Sequence, residues 1–140
     1  MKKLLAIFLA LVLALSLCAC GRKASTESTV YADGAVITIH KGEPTKTFTV
    51  EILDKDQNKT TVTVKTDLDT VGEVLQQAGL LGGEQAEYGL YIKSVNGITA
   101  DYDKDGTYWA FYVNGEYAVT GVDMTESVDG VTYTLAIETM

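Results

Sequence analysis

Thr107-Tyr108-Trp109-Ala110-Phe111-Tyr112-Val113-Asn114-Gly115 is the stretch that decides the fold of this 140-residue chain. It holds the only Trp and two of the eight Tyr. Read with period two, Trp109, Phe111 and Val113 share one face, and Tyr108, Ala110 and Tyr112 share the other. Asn114-Gly115 suits a type I′ turn, because both central residues need positive φ and these two tolerate it best. The stretch therefore predicts a strand that turns at Asn114-Gly115 and returns from Glu116. Both faces carry aromatics. One face must be core, and the other is either a packed second layer or an exposed aromatic surface.

Upstream of this strand the pattern is equally regular. Thr47 to Leu53 alternates, with Phe48, Val50 and Ile52 inward. Asp54 to Lys59 is a polar turn, and Thr60 to Thr66 returns with Val62 and Val64 inward, which makes a β-hairpin rich in β-branched residues. Val71, Val74, Leu75 and Ala78 then stand at i, i+3, i+4 and i+7, so helical spacing replaces alternation over about ten residues. Thr70 and Glu73 form a capping box at its start, and Gly79 stops it. Leu80 to Glu87 reads as a glycine-bearing loop around Gly82 and Gly83. Tyr88 to Val95 reads as a strand that turns at Asn96-Gly97, and Asp101 to Gly106 as an acidic loop. Downstream, Asp129-Gly130 turns the chain into Val131–Ile137, with Val131, Tyr133, Leu135 and Ile137 inward and Thr132, Thr134 and Ala136 outward. The predicted class is α+β: a small mixed sheet with one packed helix.

The beginning of the chain reads differently. Lys2 and Lys3 precede an apolar run from Leu4 to Leu17, which is short for a bilayer-spanning helix and of signal-peptide length. Leu17-Cys18-Ala19-Cys20-Gly21 resembles a bacterial lipobox, with Ala19 small before the cut and Leu17 apolar three places before Cys20. Residues 1–19 are accordingly expected to be a lipoprotein signal peptide, with Cys20 the lipidated first residue of the mature chain. Two or three acyl chains anchor stably, since each buried methylene contributes about 0.8 kcal/mol. Residues 20–44 are expected to be a flexible tether, in which Ala35 to His40 can form a short strand before Gly42 and Pro44. Residues 45–140 form the expected folded domain. Localisation follows as the cell envelope, on the outer face of the bacterial cytoplasmic membrane. With Cys18 removed and Cys20 acylated, the domain has no disulfide or Cys ligand.

Charge and motif content narrow the function. Formal charge is −8, and −10 without Lys2 and Lys3. Such a balance disfavours nucleic acid, which rewards clustered Lys and Arg. Catalysis lacks parts: His40 is the only His, no Gly-x-Ser-x-Gly elbow occurs, and an enzyme is not expected. Asp101, Asp103 and Asp105, followed by Gly106, begin like an EF-hand loop, because alternating oxygens can converge on Ca²⁺. Tyr112 stands where that loop needs Glu, so a true EF-hand is excluded. What remains is a weaker extracellular Ca²⁺ site on these three carboxylates, or an ordinary acidic loop. Tyr88, Tyr91, Tyr102, Tyr108, Tyr112 and Tyr117 supply flat apolar faces with polar tips, suited to planar ligands, sugars or protein partners.

Thr70-Val71-Gly72-Glu73-Val74-Leu75, Ser94-Val95-Asn96-Gly97, Tyr108 to Gly115, Gly121-Val122 and Asp129-Gly130 together resemble the DUF4430 domain, over about Thr47 to Glu138. That domain is similar to the C-terminal β-domain of the vitamin B12 carriers transcobalamin and intrinsic factor. The resemblance implies a β-grasp-like fold, an extracellular and often lipid-anchored setting, and no established activity. In the B12 carriers this domain caps one side of a corrinoid. The resemblance therefore implies that the Tyr108–Tyr112 strand and its neighbours face a ligand, with Tyr108, Trp109, Tyr112, Asn114 and Tyr117 as candidate contacts. Three readings stay open: a corrinoid or similar planar ligand, a protein- or glycan-interaction module of the envelope, and a Ca²⁺-stabilised module.

Overall fold

The hairpin encoded by Lys46 to Thr66 is the spine of the computed structural model, which describes residues 29–140. In chain order, β1 (Ala35–Ile39) precedes the hairpin strands β2 (Lys46–Leu53) and β3 (Lys59–Thr66). Helix α1 (Val71–Gln77) follows, then β4 (Leu81–Ala86), β5 (Gly89–Val95) and β6 (Ile98–Thr99). A four-residue helix, α2 (Tyr102–Asp105), leads into β7 (Thr107–Val113) and β8 (Glu116–Tyr117). A 3-10 turn at Val122–Met124 and the long strand β9 (Thr132–Thr139) close the chain. Six strands form one sheet in the order β1-β3-β2-β9-β7-β8, and β4-β5-β6 form a second. The class is α+β.

Two pairings in the large sheet are parallel, β1 with β3 and β2 with β9. The alternation of β2 and β3 puts Phe48, Val50, Ile52, Val62 and Val64 almost wholly out of water. Val71, Val74 and Leu75 of α1 and Ala78 at its C-cap are buried in the same core, as their spacing requires. Tyr133 sits at the centre, 1 % exposed, edge-on to Phe48 at 5.1 Å and stacked on Phe111 at 6.1 Å. Its hydroxyl donates to the Glu126 carbonyl at 2.8 Å and accepts the Val128 amide at 3.0 Å, so its polar tip is satisfied inside the core.

Local chemistry explains most boundaries. In the β2–β3 turn Asp54 accepts the amides of Asp56 and Asn58 and the Asn58 side chain. The Asn58 contacts, side chain first, hold its carboxyl below the usual range. Thr70 caps α1 by accepting the Glu73 amide at 3.3 Å, and Gly79, at φ +71°, ends it. Only half of the capping box forms, because the Glu73 carboxylate turns to Lys41, 3.4 Å away. Asn96-Gly97 and Asn114-Gly115 are both turns with two positive φ values, as type I′ geometry demands.

Four expectations need correction. Leu81–Ala86 is a strand rather than a loop: it pairs antiparallel with β5, with a register shift at Gly82/Gly83. A Cβ on Gly83 would lie 2.1 Å from the Tyr91 carbonyl oxygen, so glycine is required by that close approach rather than by chain freedom. The segment Asp101 to Gly106 is a capped helical turn rather than a loop. Ala136 does not face solvent; it is buried opposite Ala110 on the second face of the sheet. The tether ends sooner than expected, because the Tyr31 main chain exchanges two hydrogen bonds with the Asn96 side chain and its hydroxyl bonds the Ala78 carbonyl. The short strand expected at Ala35 is β1, the outer strand of the large sheet.

The contact between α1 and the 3-10 turn is backbone-tight. A Cβ on Gly72 would meet the Asp123 Cα at 2.6 Å and its nitrogen at 2.8 Å. Gly72→Ala is therefore expected to destabilise the fold by about 1–3 kcal/mol, a penalty typical of overpacking. Thermal and urea unfolding check it, and an unchanged midpoint would refute this contact.

A tyrosine-lined groove beside β7

Strand alternation divides β7 into two functions. Tyr108, Ala110 and Tyr112 face outward, opposite Glu138, Ala136 and Thr134 of β9. Both tyrosine hydroxyls donate to the Glu138 carboxylate, Tyr108 to Oε2 at 3.2 Å and Tyr112 to Oε1. The pair brackets Ala110 and Ala136, which explains why two alanines on the helix-free face are buried. Tyr112 also meets Tyr117 edge-to-face at 5.4 Å. Trp109 and Phe111 point the other way and are buried, and the indole N–H donates to the Ile98 carbonyl at 3.2 Å.

A groove opens along the β7 edge that β9 does not cover. Trp109 and Phe111 form its floor, Leu90 and Ile92 of β5 one wall, and Tyr117 to Gly121 the other, around a volume of about 320 Å³. A second cleft of about 370 Å³ shares Tyr91 with it and also contains Glu84, Lys93, Asp101, Tyr102 and Asp103. A wider mouth of about 650 Å³, beside Tyr88 and Met124, shares residues 119–121 with the groove. Tyr88 and Val119, 87 % and 99 % exposed, project at this mouth. Asp123 holds the walls together: its carboxylate accepts the Leu90 amide at 3.1 Å and the Gln85 side-chain amide at 3.2 Å. Burial pushes that carboxyl up, but these bonds outweigh it and hold it below the usual range.

Of the residues singled out in the sequence, Tyr108, Trp109 and Tyr117 come together in this groove. Tyr112 lies behind it, on Glu138. Asn114 serves its turn, with φ +48° and its side-chain oxygen accepting the Thr132 amide at 3.0 Å. Leu90, Ile92, Val119 and Met124 were not foreseen, and only the density of nearby tyrosines pointed to them. The three aspartates do not converge. Asp101 caps α2 by accepting the amides of Asp103 and Lys104. Asp105 accepts the amide and hydroxyl of Thr107 and lies 3.5 Å from Lys55. Among the described residues no group of three or more His, Cys, Asp or Glu side chains is placed to hold a metal ion. Cys20 and the expected signal peptide lie outside the described residues. No helix of the described residues is long and apolar enough to cross a membrane.

The bond to Glu138, with burial second, pushes the Tyr112 phenol up to about 12. Burial first, then Glu138, pushes Tyr108 up as well. A phenol that holds its proton more tightly when folded contributes stability that is complete below the unfolded value near 10 and fades between pH 10 and about 12. Spectroscopic titration of tyrosinate absorbance is expected to show late-ionising phenols in the folded protein. Glu138→Gln should bring them down towards 10, and an unchanged titration would refute the clamp.

Residues 69–135 match the family profile described as "Domain of unknown function (DUF4430)". None of the curated proteins matches the chain. Among solved structures, a protein of Ruminococcus gnavus ATCC 29149 named as a candidate metal-binding protein is 35 % identical, with a TM-score of 0.65, over 68 % of this chain and 98 % of that one. Haptocorrin in complex with Cbi shares the fold at 20 % identity and a TM-score of 0.51, over 67 % of this chain and 25 % of haptocorrin. From Asp69 at the start of α1 to Leu135 in the middle of β9, the matched segment contains the whole groove, and the chain belongs to the DUF4430 family.

Proposed function

We propose that this protein is a lipid-anchored, non-catalytic binding module of the bacterial cell envelope, whose tyrosine-lined groove takes a planar cofactor of the corrinoid class. The observation that carries this reading is the concavity itself: tyrosine rings stand at the rim of an apolar-walled groove, on the strand that the sequence marks. Ring faces at the rim of a cleft suit a flat ligand, while apolar walls supply most of the binding free energy. The fold shared with haptocorrin, seen with Cbi, supports the same ligand class. The exposed Tyr88 and Val119 at the wide mouth favour a second reading, an envelope protein or glycan as partner. The name of the Ruminococcus protein raises metal binding, but here Asp101 caps α2 and Asp105 accepts the Thr107 amide and hydroxyl, so the proposal includes no resident Ca²⁺.

Calorimetry of cobalamin with the full chain in mild detergent tests the ligand. Saturable heat is expected, and Tyr91→Ala with Tyr117→Ala should weaken binding about tenfold or more, since each ring buries an apolar face worth about 1.5–3 kcal/mol. No heat from folded protein would sink the corrinoid reading and leave the macromolecular partner. The anchor has its own test. Cys20→Ser is expected to abolish acyl labelling and release the protein from the membrane fraction, whereas Cys18→Ser should not. Labelling that survives Cys20→Ser would overturn the anchor.

A further inference from the structure

The main-chain ladder of β7 leaves one side open. Its neighbour β9 bonds the even-numbered residues: the Asn114 amide reaches the Thr132 carbonyl and the Met140 amide reaches the Gly106 carbonyl, with an unbroken register between them. Antiparallel strands alternate bonded and non-bonded pairs, so Thr107, Trp109 and Phe111 direct their N–H and C=O groups away from β9. On that far side β8 pairs only with Tyr112 and Val113. The last rung is the Ala118 amide on the Phe111 carbonyl, after which the chain departs. The Thr107 amide turns to Asp105. Among the described residues no strand pairs with Thr107 or Trp109 on that side, and Phe111 has only the Ala118 rung. Trp109 and Phe111 line the groove floor.

The geometry points to strand addition: this edge receives an extended, basic polypeptide segment that continues the line of β8. Unpaired main-chain groups at two-residue spacing are met best by another extended main chain, with side-chain pockets adding selectivity. Leu90 and Ile92 on one wall and Ala118 to Gly121 on the other flank this edge around a volume of about 320 Å³. Charge selects the partner. Glu84, Asp101 and Asp103 line the cleft that shares Tyr91 with the groove, and Glu87 and Glu116 line the hollows that share residues 117–121 with it. Among the described residues that line these cavities, the one basic residue is Lys93, already paired with Glu84 at 3.0 Å. A second copy of this acidic chain would bring like charge to the edge, whereas Lys- or Arg-bearing peptide meets complementary charge in these cavities. The inference goes beyond the small-ligand reading and stands apart from it: a planar ligand uses ring faces at the rim, and a strand uses backbone at the floor.

Hydrogen exchange resolved to single amides, on the full chain in mild detergent, tests this. In the free protein the Trp109 and Phe111 amides should exchange about tenfold or more faster than those of Ala110 and Tyr112. The probe is the blocked nonapeptide acetyl-Lys-Val-Lys-Val-Thr-Val-Lys-Val-Lys-amide. At saturation it should slow exchange at Trp109 and Phe111 about tenfold or more. Raising salt from about 0.05 to about 0.5 M should weaken it roughly tenfold, as should Glu in place of each Lys of the peptide. The same peptide N-methylated through its five central residues should give no protection. The proposal is overturned if the Trp109 amide is as protected as Ala110 in the free protein. It also fails if millimolar peptide gives no protection, or if the methylated peptide protects equally. Protection that rises with protein concentration alone would replace it with self-association. None of these outcomes depends on whether cobalamin binds.

Discussion

The insertion of β9 between β2 and β7 holds the two halves of the molecule together. Without it, β1-β3-β2 and β7-β8 would be separate ribbons. Tyr133 is the contact through which this insertion is enforced, because its ring touches Phe48 on one neighbour and Phe111 on the other. Aromatic pairs contribute about 0.5–1.5 kcal/mol beyond their buried area. A buried hydroxyl left alone would cost about 1–3 kcal/mol, and the Glu126 carbonyl and Val128 amide remove that cost. Those two groups belong to the segment that also bridges to Thr70 at the start of α1. One side chain thus ties the last strand to the sheet and, through its polar tip, to the segment that meets the helix.

Because β9 fixes β7 on one side only, the period of two along β7 becomes a division of labour. Even positions spend their polar groups inward on β9 and Glu138, which closes the helix-free face over Ala110 and Ala136. Odd positions bury Trp109 and Phe111 in the core while leaving their main chain at the groove floor. The aromatic face that alternation suggests as an open platform is therefore largely self-satisfied. The accessible surface is the edge and its flanking tyrosines.

How much of this was legible follows from which physics each segment obeys. Strands β2, β3, β7 and β9 each bury one face, so alternation reports them, and α1 buries one stripe, so its spacing reports it. Strand β4 escaped because Gly82-Gly83-Glu84-Gln85 is mostly exposed and carries no apolar alternation; main-chain pairing with β5 alone makes it a strand. Helix α2 escaped because acidic residues at alternate positions look like a metal loop, while an N-cap needs only one of them, Asp101. In the groove, tyrosines announce themselves by type. The β4–β5 hairpin that brings Tyr91 beside Tyr117 is a tertiary fact with no local signal.

An open strand edge is ordinarily an aggregation hazard, and proteins blunt it with charge, shortness or cover. Here the edge is about three residues long, sunk between β5 and the 118–121 loop, and ringed by carboxylates. Those features disfavour broad or acidic macromolecular partners and leave room for one narrow chain or a small ligand. Orientation adds to this selectivity. The chain arrives at Tyr31 beside Asn96, at the far end of β5 from Gly89 and the wide mouth. Seven residues of β5 separate the two ends by about 20 Å at the rise of an extended strand. The chain's entry point and the wide mouth therefore lie at opposite ends of β5. A ligand or partner can thus enter at the mouth without meeting the segment that enters at Tyr31.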